Sequence, residues 1–562
     1  MNPLIQFKKV SVIVLGALVL GCFGLLPQMQ SALPPEIPGN PDGCYPAFTT
    51  AEGCNALALL GAGIGNTAVG WYSLFLVGDA NFNTGVGAGA LALTTSNSNT
   101  AVGAVALLLN TTGALNTAVG TDALVYNDSG NYNNAFGGGA LFNNDADSNN
   151  AFGTGALGNN VTGQNNAAFG DAVLQSNVTG SSNCAFGYFA LTNNDNTAAG
   201  LANANNAFGA YALVSNIDGS RNNAFGFDAL SFNRTASDNC AFGHDALANN
   251  DMSAAGLATG NTAVGSESLA SNSDGSANTT VGFYALNSND IGSRNPAMGE
   301  GALRNNIAGQ YNTAMGALAL TANTGDQNTA IGTFALENNT SGAGNAALGY
   351  HALQDNNMGG LNTAIGDQAL GNSETGNLNT ALGAGACSSV TTASNVTCIG
   401  ANASGADVSN TTWIAHVFGV TTISGTTMPV IVSSTGQLGT MSSSRRFKKE
   451  IKPMDTTSES ILALKPVVFH YKSDSTNMPQ FGLIAEEVAE VNPDLVVRDD
   501  KGEIYAVRYD QVNAMLLNEF LKEHRKVEQL QKQVEALTGG LQKVSAQLEA
   551  NKPAPQTVLN NR

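Results

Sequence analysis

Asn116-Thr117-Ala118-Val119-Gly120-Thr121-Asp122-Ala123-Leu124 is one copy of a motif that recurs along most of the chain, each copy followed by a polar turn rich in Asn, Ser, Thr and Gly. The glycine after the larger apolar residue marks the register. It falls at Gly70, Gly87, Gly103, Gly120, Gly137, Gly153, Gly170 and Gly187, and later from Gly282 through Gly299, Gly316, Gly332, Gly349, Gly366, Gly383 and Gly400, a step of 16 or 17 residues. Two interruptions, Gly187 to Gly200 to Gly209 and Gly243 to Gly256 to Gly265, each take steps of 13 and 9 and lie 56 residues apart, which points to duplication of a whole block.

A period near 17 is too short for a helical hairpin, and each copy offers only one Val, Ile, Phe or Met, one Leu and some Ala. One coil of a parallel β-solenoid, or β-roll, fits that content. Each coil is expected to hold two short strands, one around Ala-Φ-Gly (Φ, the larger apolar residue) and one around x-Ala-Leu, with Asn/Gly segments turning the chain. Stacked Asn side chains at equivalent corners are expected to hydrogen-bond from coil to coil. The glycine after Φ belongs where the backbone bends or approaches its neighbour. A motif held in register this long excludes a disordered low-complexity linker. So thin a coil leaves an outward Val, Phe or Leu stripe in need of a partner.

The chain divides by charge at Ser442-Ser443-Ser444-Arg445-Arg446-Phe447-Lys448-Lys449-Glu450-Ile451. From Leu33 to Met441 there are 4 basic residues (Arg221, Arg234, Arg294, Arg304) against 25 acidic ones, whereas 17 of each follow the border, so the net charge of -19 belongs to the repeat side. Such a surface repels nucleic acid. At the other end, Lys8-Lys9 precede an apolar run from Val10 to Leu26, then Pro27 and a small-residue stretch ending Ser31-Ala32, the layout of a secretory signal at 1–32. Acylation of Cys22 within Val19-Leu20-Gly21-Cys22, or retention of the run as an anchor, are the alternatives, and the membrane enters only through this segment.

Export permits disulfides. Cys44 and Cys54 bracket a short loop and are the best candidate pair, stapling a cap segment at 33–65, while Cys184 and Cys240 occupy the same place in two repeats and read as small buried side chains. No His joins the cysteines at a zinc-like spacing, and no cofactor motif is present. The repeats span 66–400, and a Thr/Val-rich β neck follows at 401–441, in which Thr412–Phe418 and Pro429–Val432 read as strands and His416 as structural.

Beyond the border, Pro466–Tyr471, Phe481–Val488 and Ile504–Tyr509 read as strand, strand turning into helix, and strand, with Asp510 as an N-cap. Val527, Leu530, Val534, Leu537, Leu541, Val544 and Leu548 form an a/d seam over three heptads at 527–550, in which Gly539-Gly540 should weaken or interrupt the helix. Residues 551–562 read as a disordered tail.

Ser443 five residues before Lys448, Ile451 and Pro453 just after it, Phe469-x-Tyr471, Phe481-Gly482-Leu483-Ile484-Ala485-x-Glu487-Val488 and Tyr509 together resemble the intramolecular chaperone, or peptidase S74, domain of phage tail spikes, over about 442–526 plus the coiled coil. The repeats resemble the β-roll heads of trimeric autotransporter adhesins, and more closely the arrays that precede S74 domains in bacterial tail-fibre-like proteins. The resemblance implies a homotrimer, a tail that helps three chains register, and self-cleavage with Ser443 as nucleophile and Lys448 as base. Many members have Asp directly after the serine, where this chain has Ser444. Ser442 or Ser444 could in principle serve instead of Ser443, and Lys449 is the rival base. The serine needs a neutral amine beside it, and Arg445, Arg446 and Lys449 are positive charges that favour the neutral form.

The chain is thus expected to be mainly β: a trimeric β-solenoid fibre of period about 17, followed by a small α+β chaperone domain with a coiled-coil helix. Two functions follow, an exported fibre whose tail cuts itself off and a purely structural or adhesive fibre that never cuts. A glycan-hydrolysing spike is disfavoured, because no paired carboxylates recur at an inward position. No residue pattern names what the fibre touches, whether a host surface or a glycan.

Overall fold

The structure, a computed structural model, describes residues 44–553 except Pro46, Ala47, Thr421, Ser424, Ser434, Thr435 and Asp500. The expected signal segment at 1–32 and the tail beyond Pro553 lie outside the described residues. The chain forms two compact units, one ending at Val420 and the other beginning at Thr421.

The first unit is a parallel β-solenoid. A short strand at Cys44–Tyr45 pairs antiparallel with Thr49–Glu52, and from there every strand to Thr412–Ile414 pairs in parallel with the next coil, making one sheet of 23 strands. Most coils contribute three residues, as in Thr117–Val119 paired with Asn134–Phe136. Their middle residue, usually Ala, is buried, the first is half-buried and the Φ residue faces outward. The parallel sheet thus extends into the stretch expected as a neck, whereas Val430–Val432 and Leu438–Thr440 form an antiparallel hairpin in the second unit.

Each coil holds one strand, not the expected two. In the x-Ala-Leu segment Asp122 and Leu124 sit at φ 59° and 54°, and the same left-handed geometry returns at nearly every coil's Leu. A leucine there costs about 1–2 kcal/mol, and two observations offset the cost. The Leu124 side chain is fully buried, and its amide donates to Ala140 O of the next coil at 3.0 Å. The core is accordingly one Ala from the strand and an Ala-Leu pair from the turn, repeated.

Two ladders of buried asparagine run alongside that core. Asn116 Oδ1 accepts the amide of Asn133 at 2.9 Å, while its Nδ2 donates to Gly130 O at 2.8 Å. Asn127 Nδ2 donates to Asn110 Oδ1 and to Gly130 O, each at 2.8 Å, and Asn144 repeats the pattern. Most rungs are 16 or 17 residues apart; the two interrupted places are single coils of 22 residues, as between Asn183 and Asn205 or Asn239 and Asn261. There the buried carboxylates of Asp195 and Asp251 tie the extra loop by accepting from Gly200 N and Gly256 N.

The described disulfide is Cys387–Cys398, not the loop bracket at Cys44 and Cys54. Cys387 stands where other coils have the buried Leu and Cys398 where they have the strand Ala, so two core positions are bridged. Cys54 is a free, exposed thiol; the Cys44 side chain lies outside the described residues. Cys184 and Cys240 are half-buried rather than buried, because they occupy the first strand position.

In the second unit, Val467–Phe469 pairs antiparallel with Gln480–Gly482, which leads into helix α1 (Ala485–Val491), and Val496–Arg498 pairs with Ile504–Val507. Helix α2 (Tyr509–Ala550) follows, with Arg508 rather than Asp510 at the N-cap. It runs unbroken through Gly539-Gly540; two glycines cost about 2 kcal/mol relative to Ala, which the long flanking turns absorb. The core is small: Ile461, Val488, Leu495, Val496 and Met515. Beside it lies a buried polar node. Ser458, within the 3-10 turns of Asp455–Ala463, donates to Glu519 Oε1 of α2, and Asn518 Nδ2 donates to Ser458 Oγ at 2.7 Å. Lys522 Nζ bridges Glu519 at 2.7 Å and Glu459 at 3.2 Å.

Two predictions follow from these contacts. Gly226 sits at φ +145°, and a Cβ there would meet Gly243 O of the next coil at 2.2 Å, whereas Gly139 at φ +64° has open space around it. Gly139→Ala should therefore cost about 1–2 kcal/mol, while Gly226→Ala should open the adjacent coils, seen as new cleavage between residues 209 and 260 in limited proteolysis of the full chain. Equal protease resistance of the two variants would refute the close-approach account.

The second concerns acid. Hydrogen bonds from Lys522 and then Ser458 hold the Glu519 carboxyl below the usual glutamate range. A depressed folded value means the contribution is present above the ordinary glutamate pKa and is lost as pH falls through the lower folded one. Thermal melts followed by helix ellipticity should show α2 destabilised on acidification below about pH 4.3. Glu519→Gln should melt lower at neutral pH and show a flatter acid dependence.

Candidate functional site

The border segment lies wholly in the second unit. Ser444 caps a single 3-10 turn, Arg445–Phe447, in which Phe447 N donates to Ser444 O at 3.0 Å and Lys448 N to Arg445 O at 3.1 Å. The turn reverses the chain over a few residues. It returns the lysine side chain to the serine run, and Lys448 Nζ lies 3.0 Å from Ser443 Oγ, donating to it. The five-residue separation read from the sequence is thus spatially a hydrogen-bonded pair.

The competing residues stand differently. Ser442 Oγ accepts the Ser444 amide at 3.3 Å, so it is engaged by backbone. Among the described residues neither Ser444 Oγ nor Lys449 makes a hydrogen bond to a member of this cluster. The Arg446 guanidinium lies 4.6 Å from the ring centroid of Phe447, a cation–π contact at an exposed site. Every residue from Met441 to Pro453 is exposed, including Phe447 and Ile451, and the chain re-enters the domain at Met454, which packs on its core.

A hydroxyl within hydrogen-bond reach of an amine is the geometry of a nucleophile and its base, provided the amine sheds its proton. In the single chain the pair is open to water. Among the described residues no group of three or more His, Cys, Asp and Glu could hold a metal ion. His416 belongs to the other unit.

One other feature was not legible as pattern, and two of the quoted motifs acquire contacts that spacing did not show. The Ser458–Glu519–Lys522 node joins residues about sixty positions apart, and no short-range spacing announces it. Tyr509 Oη accepts from Leu483 N at 3.0 Å, bracing the end of the Gln480–Gly482 strand against the start of α2. The Phe469 and Tyr471 rings meet edge to face at 5.2 Å, which gives the Phe469-x-Tyr471 pair a packing role.

No helix among the described residues is long and apolar enough to cross a membrane. No curated protein and no solved structure matches the chain. A family model does match: residues 443–497, which begin at the serine of the hydrogen-bonded pair and run through the strand pair Val467–Phe469 and Gln480–Gly482 and through α1, are similar to Peptidase_S74, the chaperone of endosialidase.

Proposed function

We propose that the chain is an exported homotrimeric fibre whose C-terminal domain assists assembly and then severs itself, with Ser443 as nucleophile and Lys448 as base. The observation that carries this reading is the 3.0 Å contact between Lys448 Nζ and Ser443 Oγ, inside the stretch that matches the S74 family. Ser443 Oγ would add to a neighbouring peptide carbonyl as its proton passes to neutral Lys448. The C–N bond would then break as the lysine returns that proton to the leaving amine, and water would hydrolyse the ester. The domain acts once on its own chain.

Trimerisation is supported by surfaces that a lone chain leaves bare. The outward Φ residues form a stripe from coil to coil, where Phe136, Phe152 and Phe169 stack at 4.7 and 4.8 Å, the spacing of the strands themselves. The seam Val527, Leu530, Val534, Leu537, Leu541, Val544 and Leu548 is exposed along α2. Another chain of the same period matches a stripe that repeats every coil. A fibre that assembles in the same way and never cuts is the second reading, favoured by the exposure of Lys448 in the single chain.

A denaturing gel separates the two. The wild type should release a fragment of about 120 residues. Ser443→Ala and Lys448→Ala should stay at full length, with cleavage lowered ~10³-fold or more, and still form a trimer by light scattering. Lys448→Arg should also fail, since a guanidinium keeps its proton, whereas Ser442→Ala and Lys449→Ala should cut normally. Full cleavage of Ser443→Ala would end the dyad assignment. Leu530→Asp should yield uncut monomer.

A further inference from the structure

The segment Ser442–Pro453 is an arm that packs on nothing of its own domain. All of its residues are exposed, two of them are the apolar Phe447 and Ile451, and the hydrogen bonds it makes are internal. It carries five basic residues (Arg445, Arg446, Lys448, Lys449, Lys452) against Glu450 alone. The domain body from Met454 to Asp510 has the opposite balance, eleven acidic residues to five basic. On that body the cross-strand partners Val468 and Phe481 face solvent side by side, 62% and 80% exposed. Two residues after Gly482 comes Ile484, and then the acidic first turn of α1, Glu486 and Glu487, all exposed. A basic arm bearing a free aromatic ring and an acidic body bearing a free apolar strand pair are complementary in both charge and character.

We propose that the arm of one chain docks on the body of a second copy, with Phe447 against the Val468–Phe481 pair and the arm's cations over Glu486 and Glu487, so that the Ser443–Lys448 pair is enclosed between chains. The inference rests on the homotrimer reading above and adds the two surfaces that meet. The occupant is a second copy because the arm's own body offers the same surface within the chain and the arm does not take it. Burial between chains removes water from around the amine and favours its neutral form. Arg445, Arg446 and Lys449, held near it, act in the same direction. Cleavage would then follow docking, because the pair is enclosed only where an arm meets a neighbour's body.

The test uses the full chain with Ser443→Ala, so that nothing depends on cleavage, and with a photo-crosslinking benzoylphenylalanine in place of Phe447. Irradiation of the assembled protein should give a species of twice the chain mass on a denaturing gel, with the crosslink mapped by mass spectrometry to residues 467–469 or 480–482. Adding Glu486→Lys and Glu487→Lys, both exposed substitutions, should lower its yield severalfold. A trimer by light scattering whose crosslinks fall within one chain, or elsewhere, overturns the docking alone. A monomer overturns it together with the trimer reading. As a second measure, co-assemble chains carrying Phe447→Asp with chains carrying Phe481→Asp, both with Ser443 intact. Only the Phe481→Asp chains should be cut, because their sound arms meet the sound bodies of their neighbours; cleavage of neither chain, or of both, contradicts docking between chains.

Discussion

The solenoid depends on how closely one coil can lie on the next. Gly226 at φ +145° leaves 2.2 Å between a would-be Cβ and the carbonyl of Gly243, and the same approach recurs at glycine after glycine. This spacing lets Asn116 Oδ1 reach the amide of Asn133 and lets the left-handed Leu124 amide reach Ala140 O. A core of Ala and one Leu per coil buries little apolar surface, so coil-to-coil hydrogen bonds carry an unusual share of the register. Removing the glycine would separate every partner at once.

The ladders end toward the C-terminus in a defined way. Ser373 replaces the asparagine that would follow Asn356, and Asn356 Oδ1 and Ser373 Oγ are left buried without a partner among the described residues. Val390 and Val396 then occupy the corner positions, and the Val396 amide caps Asn379 Oδ1 at 2.8 Å. The Cys387–Cys398 disulfide lies in the same coil, and Asp407 accepts the amides of Thr391, Thr392 and Ala393. Those bonds, the Thr391 hydroxyl foremost, hold its carboxyl far below the usual range. Polar stacking gives way to an apolar plug, a covalent bridge and, from the last coil, a carboxylate staple.

The second unit shows the reverse economy. Its core is five buried residues, while Phe481, Tyr505, Val468 and most of the apolar residues of α2 face solvent. A domain of this kind gains stability by association. The proposed chemistry draws on the same shortage: the Ser443–Lys448 pair, exposed in a single chain, would be enclosed by partners. Assembly and cleavage would then share one driving force, the burial of surface that a single chain cannot cover.

The repeat itself was legible in the sequence, and so were the step of 16 or 17, the outward Φ residue, the Asn stacking and the separation of Ser443 from Lys448, because each depends on neighbours one coil or one turn away. The strands at Val467–Phe469, Gln480–Gly482 and Ile504–Val507 were legible for the same reason, each lying in or at the edge of a short apolar run bounded by turn residues, whereas Val496–Arg498 was not read. Tertiary structure alone decided that x-Ala-Leu is a left-handed turn rather than a strand, since only contact with the next coil offsets the cost of Leu124 at φ 54°. It likewise decided that Gly539-Gly540 stays helical, that Cys387 pairs with Cys398, and that Ser458 meets Glu519. Those outcomes are set by which backbone amides and side chains meet across the fold, and local spacing in the chain does not encode that.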